Sequence, residues 1–343
     1  MQAWQYTHSI QERLVAGGFS LEEARAMSRL VVAHLLDCEP SQLALQGWTE
    51  LDPQLGELLL QRILSGEPLQ YVLGSTGFMG LEFQVGPGVL IPRFDSEPLV
   101  ERAIQLLNPY AAPVIADVCC GSGCLGIALA VHLPQSQVWL TDISSDALEQ
   151  TRRNVALHQV TERCHLCQGN LAQPLLDTDC RPDLLIANPP YIPSRELPQL
   201  SPQVQQEPQL ALDGGEDGLA LYPALFEQGC QLLPPGGLLI VEHGDQQQDA
   251  VWQLLIEGGF FPVERLFDLG GRPRGILARC VRSQAPGAIQ VVAPESGPHP
   301  PVALAEAWLG QAGDAPWERS VLESNEDSPG ETGEQRFPEW ETW

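Results

Sequence analysis

Apolar residues recur at helical spacing through the first 73 residues. A capping box, Ser20-Leu21-Glu22-Glu23, starts one helix, and Asp52-Pro53 starts another. The predicted apolar faces of these two helices are Leu21, Ala24, Met27, Leu30 and Val31, and then Leu55, Leu58, Leu59, Ile63 and Leu64. We therefore expect residues 1–73 to form a small helical domain, either a stabilising or a substrate-docking one.

The pattern changes after residue 73. Glycines separate short segments over residues 74–89, and Leu81-Glu82-Phe83-Gln84-Val85 alternates as a hairpin strand does. This stretch predicts a β-hairpin linker to the segment that begins at residue 90.

Short apolar runs alternate with helical patterns from residue 90 to residue 282. Strands are predicted at 114–118, 137–141, 164–168, 183–187 and 238–242, and helices at 124–132, 145–158, 219–233 and 251–257. Such alternation is typical of an α/β fold with a parallel sheet. The last two predicted strands, at 263–267 and 276–281, have no helix between them, so they should pair antiparallel at the sheet edge.

Composition and charge restrict the class of protein. The chain has 343 residues, a formal net charge of −26 and no lysine, so as a whole it should repel nucleic acid. No run is long and apolar enough to span a bilayer, and the N-terminus lacks a signal peptide. Nine scattered cysteines favour reduced thiols in a cytoplasmic protein. Residues 283–343 are rich in Pro, Gly, Ser and acid, which predicts a disordered tail.

Asn188-Pro189-Pro190-Tyr191 follows a buried strand. Neither proline can donate to a strand ladder, so the strand stops and leaves the Asn188 side chain and nearby carbonyls free at its carboxyl end. Ligands bind at that edge of open α/β sheets. An amide oxygen beside a carbonyl suits one NH2 group, and Tyr191 offers a flat face. The motif predicts a site for a planar amine or amide nitrogen; the simpler alternative is a turn that caps the strand.

A glycine-rich loop, Asp117-Val118-Cys119-Cys120-Gly121-Ser122-Gly123, joins a strand to a helix. Its free backbone N–H groups could bind a pyrophosphate or the methionine carboxylate of S-adenosylmethionine. Asp142 ends the next strand, where an acid accepts ribose hydroxyls of either cofactor. Asp117 before the glycine turn, together with the Asn188 motif facing a sulfonium methyl, favours a methyltransferase over an NAD enzyme.

With these elements in this order, the sequence resembles the protein-(glutamine-N5) methyltransferases that act on bacterial peptide chain release factors in translation termination. The resemblance extends to about Arg282. It rests on the segments 70–74, 90–97, 117–123, 188–191, 207–208, 211–212 and 241–244.

The resemblance implies a seven-stranded, Rossmann-like S-adenosylmethionine-dependent methyltransferase fold whose last strand is antiparallel. It implies S-adenosylmethionine as methyl donor without a metal, and the glutamine of a Gly-Gly-Gln loop as acceptor. The implied cofactor residues are Asp117, Cys119, Cys120, Gly121, Ser122 and Gly123 for the methionine part, Asp142 for the ribose, Asn170 and Leu171 for the adenine, and Asn188. The implied glutamine-binding residues are Asn188, Pro189, Pro190 and Tyr191, among which Asn188, Pro189 and Tyr191 are the catalytic ones.

Three positions depart from the family pattern. Cys119 stands where the family has glycine, and a cysteine there is strained if the position needs a positive φ. Asn170 replaces an acid, and its amide oxygen can still accept from the adenine amino group. Phe94 replaces a proline, which should change packing only.

Other interpretations remain open at this point. The substrate could be a glutamine of a ribosomal protein or an amino group of a nucleic acid, although the acid excess disfavours direct nucleic-acid contact. A degenerate fold that only binds partners is disfavoured by the intact Asn188, Asp142 and glycine loop.

Several ionisable side chains have two interpretations. Arg93, Asp95 and Glu97 could contact a protein substrate or form a local ion pair, and Arg272 and Arg274 are expected to be solvated in an exposed hairpin. The zinc-like spacing of Cys164 and Cys167 lacks a second ligand pair and is more typical of a strand.

Overall fold

The computed structural model describes residues 1–281, so the predicted tail, 283–343, lies outside the described residues. The N-terminal helices are α1 (Ala3–Ala16), α2 (Leu21–Leu35), α3 (Leu43–Gln46), α4 (Pro53–Leu64) and α5 (Leu69–Leu73). The capping box predicted at Ser20 is confirmed, because its hydroxyl accepts from the Glu23 N–H at 3.2 Å while the Glu23 carboxylate accepts from the Ser20 N–H at 2.6 Å. No helix among these 281 residues is long and apolar enough to cross a membrane.

The predicted apolar face of α4 is correct at Ile63 but wrong at Leu55 and Leu58. Leu55 and Leu58 are 60 % and 62 % exposed, whereas Leu60 and Ile63 are fully buried. Gly56 explains the rotation, since a Cβ there would lie only 2.1 Å from the Tyr6 hydroxyl of α1. The aromatic ring therefore packs directly on the glycine backbone, and α4 turns the side that carries Gly56 inward.

A β-hairpin follows α5. Strands β1 (Ser75–Phe78) and β2 (Leu81–Gln84) pair antiparallel, as the alternation predicts. Phe78 and Phe83 are buried and pack edge to face with ring centroids 6.1 Å apart.

Seven further strands form one mixed sheet. They are β3 (Val114–Val118), β4 (Gln137–Asp142), β5 (Cys164–Gln168), β6 (Leu184–Ala187), β7 (Leu238–Glu242), β8 (Phe260–Phe267) and β9 (Pro273–Cys280). Their order is β5-β4-β3-β6-β7-β9-β8, with β9 antiparallel to both neighbours. The predicted fold class is thereby confirmed, including the antiparallel pairing of the last two strands.

Helices cover both faces of this sheet. They are α6 (Glu97–Leu107), α7 (Cys124–His132), α8 (Ser145–Leu157), α9 (Gln173–Leu176), α10 (Gln209–Leu212), α11 (Tyr222–Leu232) and α12 (Gln248–Glu257). Two apolar cores result, one on each side of the sheet, because strands such as β6 and β7 are buried on both faces.

The strand order reverses between β3 and β6. From β3 the chain builds outward to β5, and then returns to place β6 on the other side of β3. The register pairs Val118 with Ala187, so the chain after Cys119 and the chain after Asn188 leave the sheet side by side. This switch point is where an open α/β sheet forms its ligand crevice.

Candidate active site

The loop after β3 is held in a tight, strained turn. Cys119, Gly121 and Gly123 all have positive φ, at 63°, 55° and 81°. The Cys120 N–H donates to the Thr141 carbonyl at 3.0 Å, and the Gly123 N–H donates to the Cys120 carbonyl at 2.7 Å. The strain predicted for Cys119 is therefore present, at a cost on the order of 1–2 kcal/mol for a residue with a Cβ.

Asp117 lies at the end of β3 and is almost completely buried. Its Oδ2 accepts from the Gly126 N–H of α7 at 2.8 Å. Burial raises the pKa of Asp117 to about 7, the Gly126 hydrogen bond opposes that rise, and the nearby Asp142 charge adds to it. The carboxyl is thus a buried group that a cationic ligand group would stabilise in its ionised form.

Asp142 connects the loop to the end of β4. Its Oδ2 accepts from the Gly121 N–H and its Oδ1 from the Ser144 N–H, both at 2.9 Å. Burial raises its pKa, and these backbone hydrogen bonds oppose the rise. Each carboxylate oxygen keeps a lone pair for another donor, which suits a pair of ribose hydroxyls.

Leu171 lies near the loop after β3, to which Thr141 connects it. It is buried with a φ of 54°, while the neighbouring Asn170 is exposed. The Thr141 hydroxyl donates to the Leu171 carbonyl at 2.9 Å. Because the Thr141 carbonyl also accepts from Cys120, this one residue connects both loops. Sequence reasoning missed Thr141; its only signal is a hydroxyl near the end of an otherwise apolar strand.

Asn188 lies directly beyond β6 and is half-buried. Its Nδ2 lies 3.5 Å from the Ser96 hydroxyl oxygen. Among residues 1–281, no donor reaches the Asn188 Oδ1 or the Pro189 carbonyl oxygen. The two acceptors that the sequence suggested are thus available at the switch point.

Tyr191 is fixed by the loops that surround it. The Gln247 amide donates to the Tyr191 carbonyl at 2.8 Å, and its oxygen accepts from the Gly244 N–H at 2.9 Å. Two glycines pack against the tyrosine backbone: a Cβ at Gly218 would lie 2.2 Å from the Tyr191 carbonyl oxygen, and one at Gly214 would lie 2.7 Å from its Cα. The motif therefore has little freedom to shift.

A buried carboxylate lies behind the motif. Glu242, at the end of β7, is fully buried, and its two oxygens accept from the hydroxyls of Tyr191, at 3.2 Å, and Ser96, at 2.5 Å. Burial raises the pKa of Glu242 to about 7, against the opposing effects of Ser96, Arg274 and Tyr191. Sequence reasoning placed Glu242 in a family segment but gave it no role.

The expectation that Arg274 is solvated is wrong. Its side chain is only 11 % exposed and pairs with Asp95 at 2.9 Å and Asp268 at 3.2 Å. The start of β9 packs over the short helical segment Phe94–Ser96, which brings Arg274 and Asp95, 179 positions apart, into contact. Arg272 is exposed, as expected.

The charged residues around position 95 do not pair with one another. Arg93 pairs with the buried Glu207, whose other oxygen accepts from the Ile91 N–H at 2.9 Å. Glu97 accepts from the Met79 N–H of the hairpin at 2.6 Å. The local ion pair considered from the sequence is therefore replaced by three contacts to distant segments.

Cys164, His165 and Cys167 are strand residues of β5, as predicted. His165 packs on Trp139 with ring centroids 4.6 Å apart. Within residues 1–281, no three His, Cys, Asp or Glu side chains come together in a group that could hold a metal ion.

The loop after β3 also fits a polar ligand. A Cβ at Gly121 would meet nothing within 4 Å, so the backbone there faces open space. The buried Ser122 hydroxyl has no nitrogen or oxygen partner among the described residues, and only the weakly bonding Cys124 thiol lies near it. An unpartnered hydroxyl next to an open glycine suits the polar end of S-adenosylmethionine.

Comparisons with known proteins agree with this geometry. Residues 99–206 match the family model "Methyltransferase small domain", and residues 5–74 match "PrmC N-terminal domain". Proteins named release factor glutamine methyltransferase are similar to the chain: that of Moorella thermoacetica is 40 % identical, over 78 % of this chain and 94 % of the relative. Those of Geobacter sulfurreducens and Streptomyces coelicolor are 44 % and 39 % identical, over 64 % and 67 % of this chain and 76 % and 82 % of theirs.

These relatives confirm the resemblance that the motifs indicated. The coverage of the Moorella protein is nearly complete, and the matched residues include both the helical N-terminal part and the sheet. The chain therefore belongs to the release factor glutamine methyltransferase family and is an S-adenosylmethionine-dependent methyltransferase.

Proposed function

We propose that this protein methylates the side-chain amide nitrogen, N5, of the glutamine in the Gly-Gly-Gln loop of peptide chain release factors, in the cytoplasm. One observation carries the proposal: the Asn188 Oδ1 and the Pro189 carbonyl oxygen have no donor among residues 1–281, and they lie beside the loop after β3. The names of the relatives support the same substrate.

An amide NH2 has the geometry that these two acceptors require. An amide nitrogen is a weak nucleophile, because its lone pair is delocalised into the carbonyl. S-adenosylmethionine supplies a methyl group on a positively charged sulfur. Asn188 and Pro189 accept the two N–H bonds, which holds the nitrogen in line with that methyl. They also place partial negative charge where positive charge develops during transfer.

The remaining motif residues bind the plane of the amide. Tyr191 keeps its ring orientation because its hydroxyl donates to Glu242 and its carbonyl accepts from Gln247. Pro189 and Pro190 supply rigid apolar walls that keep water from the acceptors. The nitrogen becomes acidic as the new bond forms, so no strong base is needed. His243 is fully buried, and its Nδ1 lies 2.7 Å from the Gly244 carbonyl oxygen, so we assign it a structural role.

The cofactor residues follow from the same arrangement. Asp117 and the loop from Cys119 to Gly123 would hold the methionine part. Asp142 would accept the ribose hydroxyls with its free lone pairs. Leu171 would pack against the adenine, and the exposed Asn170 would accept from the adenine amino group.

Methyl transfer from labelled S-adenosylmethionine tests the proposal directly. The acceptors are a purified release factor, the same factor with Gln→Ala in its Gly-Gly-Gln loop, a ribosomal protein fraction and a structured RNA. We expect label on the intact factor alone. Label on the RNA or the ribosomal proteins, or equal label on the Gln→Ala factor, would overturn the proposed substrate.

Removal of the Asn188 amide tests the acceptor pair. We expect Asn188→Ala to lower kcat by at least about 100-fold, which is the range for losing one preorganised polar group at a reacting centre. The Kd for S-adenosylmethionine, measured by calorimetry, should change by less than about threefold because the methionine and ribose contacts remain. Asn108→Ala, at an exposed position after α6, is the matched control and should be fully active. Near-normal turnover by Asn188→Ala would disprove the role of the acceptor pair.

A further inference from the structure

The Glu242 carboxylate receives two hydroxyl protons. Tyr191 donates to its Oε1 at 3.2 Å, and Ser96 donates to its Oε2 at 2.5 Å. Above about pH 7, the pKa of Glu242, this carboxylate is ionised, has no proton of its own and can only accept. The single proton of the Ser96 hydroxyl is therefore committed to Glu242.

This commitment determines what Ser96 can do toward Asn188. The Ser96 oxygen lies 3.5 Å from the Asn188 Nδ2, which is a long hydrogen bond. With its proton used, the hydroxyl can accept but cannot donate. The NH2 of Asn188 must then face Ser96, and the Asn188 Oδ1 must face away, toward the open side of the switch point.

The orientation matters because the two ends of an amide have nearly the same shape. A rotation of 180° would bring the Asn188 NH2 into the place of its oxygen. The NH2 of Asn188 would then face the NH2 of the acceptor glutamine, and two NH2 groups can only donate. The site would lose one acceptor and gain a repulsive contact without any change in backbone.

The geometry points to Ser96 and Glu242 as positioning residues that keep the oxygen of Asn188 turned toward the nitrogen that is methylated. This inference rests on the proposed function for the identity of that nitrogen. Arg274 supports the arrangement: its ion pair with Asp95, at 2.9 Å, ties down the helical segment Phe94–Ser96 that carries the serine. Its positive charge also favours the ionised form of Glu242.

The first test measures the orientation itself. In protein that is deuterated except at serine, with 15N in asparagine side chains, the Asn188 NH2 resonance is assigned by its loss in Asn188→Asp. We expect a nuclear Overhauser contact from this NH2 to the Ser96 β protons in the wild type, and at least a threefold weaker contact in Glu242→Gln. A wild type without the contact, or a contact equally strong in Glu242→Gln, would overturn the inference.

The second test measures the consequence for turnover. We expect Ser96→Ala and Glu242→Gln each to lower kcat by about 10- to 100-fold, with the Kd for S-adenosylmethionine unchanged within twofold. Ser28→Ala is the matched control, because Ser28 is equally buried and bonds only the Arg25 carbonyl of α2, at 3.0 Å. It should match the variants in thermal stability while keeping the kcat of the wild type. An unchanged kcat in Ser96→Ala would refute the positioning role.

The two proposals fail in different ways. A wild type that binds S-adenosylmethionine but labels no release factor would overturn the proposed substrate, and the contact between Asn188 and Ser96 would still decide the orientation. A wild type that labels the factor, together with a fully active Ser96→Ala, would leave the substrate standing and remove Ser96 from the mechanism.

Discussion

Gly126 allows Asp117 to occupy its place at the end of β3. The Gly126 N–H donates to the Asp117 Oδ2 at 2.8 Å, and a Cβ at Gly126 would lie 2.8 Å from that same oxygen and 3.0 Å from the Leu140 Cδ2. In Gly126→Ala, the added methyl would therefore displace the carboxylate that the cofactor is proposed to contact.

Two opposing effects set the magnitude. Alanine in a helix is favoured over glycine by up to about 1 kcal/mol. Overpacking a filled core costs about 1–3 kcal/mol, and both contacted residues lie on inner strands of the sheet. We expect Gly126→Ala to lower the free energy of unfolding by about 1 kcal/mol. We also expect it to raise the Kd for S-adenosylmethionine by about tenfold or more, the loss of one charge-assisted hydrogen bond.

Gly229→Ala is the matched control. Gly229 lies inside α11, and its Cβ would be 3.4 Å from the Phe260 ring, an ordinary contact. The free energy of unfolding of this variant should rise by about 0.5–1 kcal/mol, and it should bind the cofactor as the wild type does. The melting temperatures of the two variants, measured by differential scanning calorimetry, should then differ by about 4–8 °C. Isothermal titration calorimetry gives the Kd for S-adenosylmethionine. A Gly126→Ala protein that is as stable as Gly229→Ala and binds the cofactor equally well would refute the reasoning.

Two further predictions concern buried groups. Burial raises the pKa of Glu242 from 4.5 to about 7, where it faces Ser96, Tyr191, Arg274 and Asp95. Between pH 4.5 and about 7, the folded protein therefore holds a proton on Glu242 that the unfolded protein releases. The resulting contribution to the free energy of unfolding is fully present below pH 4.5 and is lost as the pH rises through about 7. Urea unfolding measured at a series of pH values should show the free energy of unfolding of the wild type falling by about 3 kcal/mol more than that of Glu242→Gln between pH 4.5 and about pH 7. Equal pH slopes for the two proteins would contradict this. Because Cys119 has a φ of 63°, Cys119→Gly should be about 1 kcal/mol more stable than Cys119→Ala in the same assay, and the reverse order would show that the turn is unstrained.

Local patterns in the sequence located most elements of the described fold. The strands at 114–118, 164–168 and 238–242 have the predicted bounds, because a short apolar run between turn residues has few other conformations. Strand β8 begins at Phe260, three residues before its predicted start, because its edge position tolerates Pro262, which has no N–H to donate.

The candidate site was predictable where its chemistry lies within one segment. The Asn188 motif and the glycine loop each combine a strand end with residues that stop or bend the chain, so their position at the sheet edge follows from sequence. Residues that act across segments were missed. Thr141 carries only a weak local signal and Ser96 and Glu242 carry none, and each gains its role from a partner at least 21 positions away.

The sequence by itself determined the order of the elements, the capped helices and the chemistry at the ends of β3 and β6. These depend on steric and hydrogen-bonding preferences that act over a few residues. Only the tertiary structure decided which side of α4 is buried and which carboxylates Arg274 meets. It also decided that Ser96 lies between Glu242 and Asn188 and contacts both. Those outcomes depend on which distant segments pack together, and an ion pair or a buried hydroxyl has no periodicity along the chain from which its partner could be deduced.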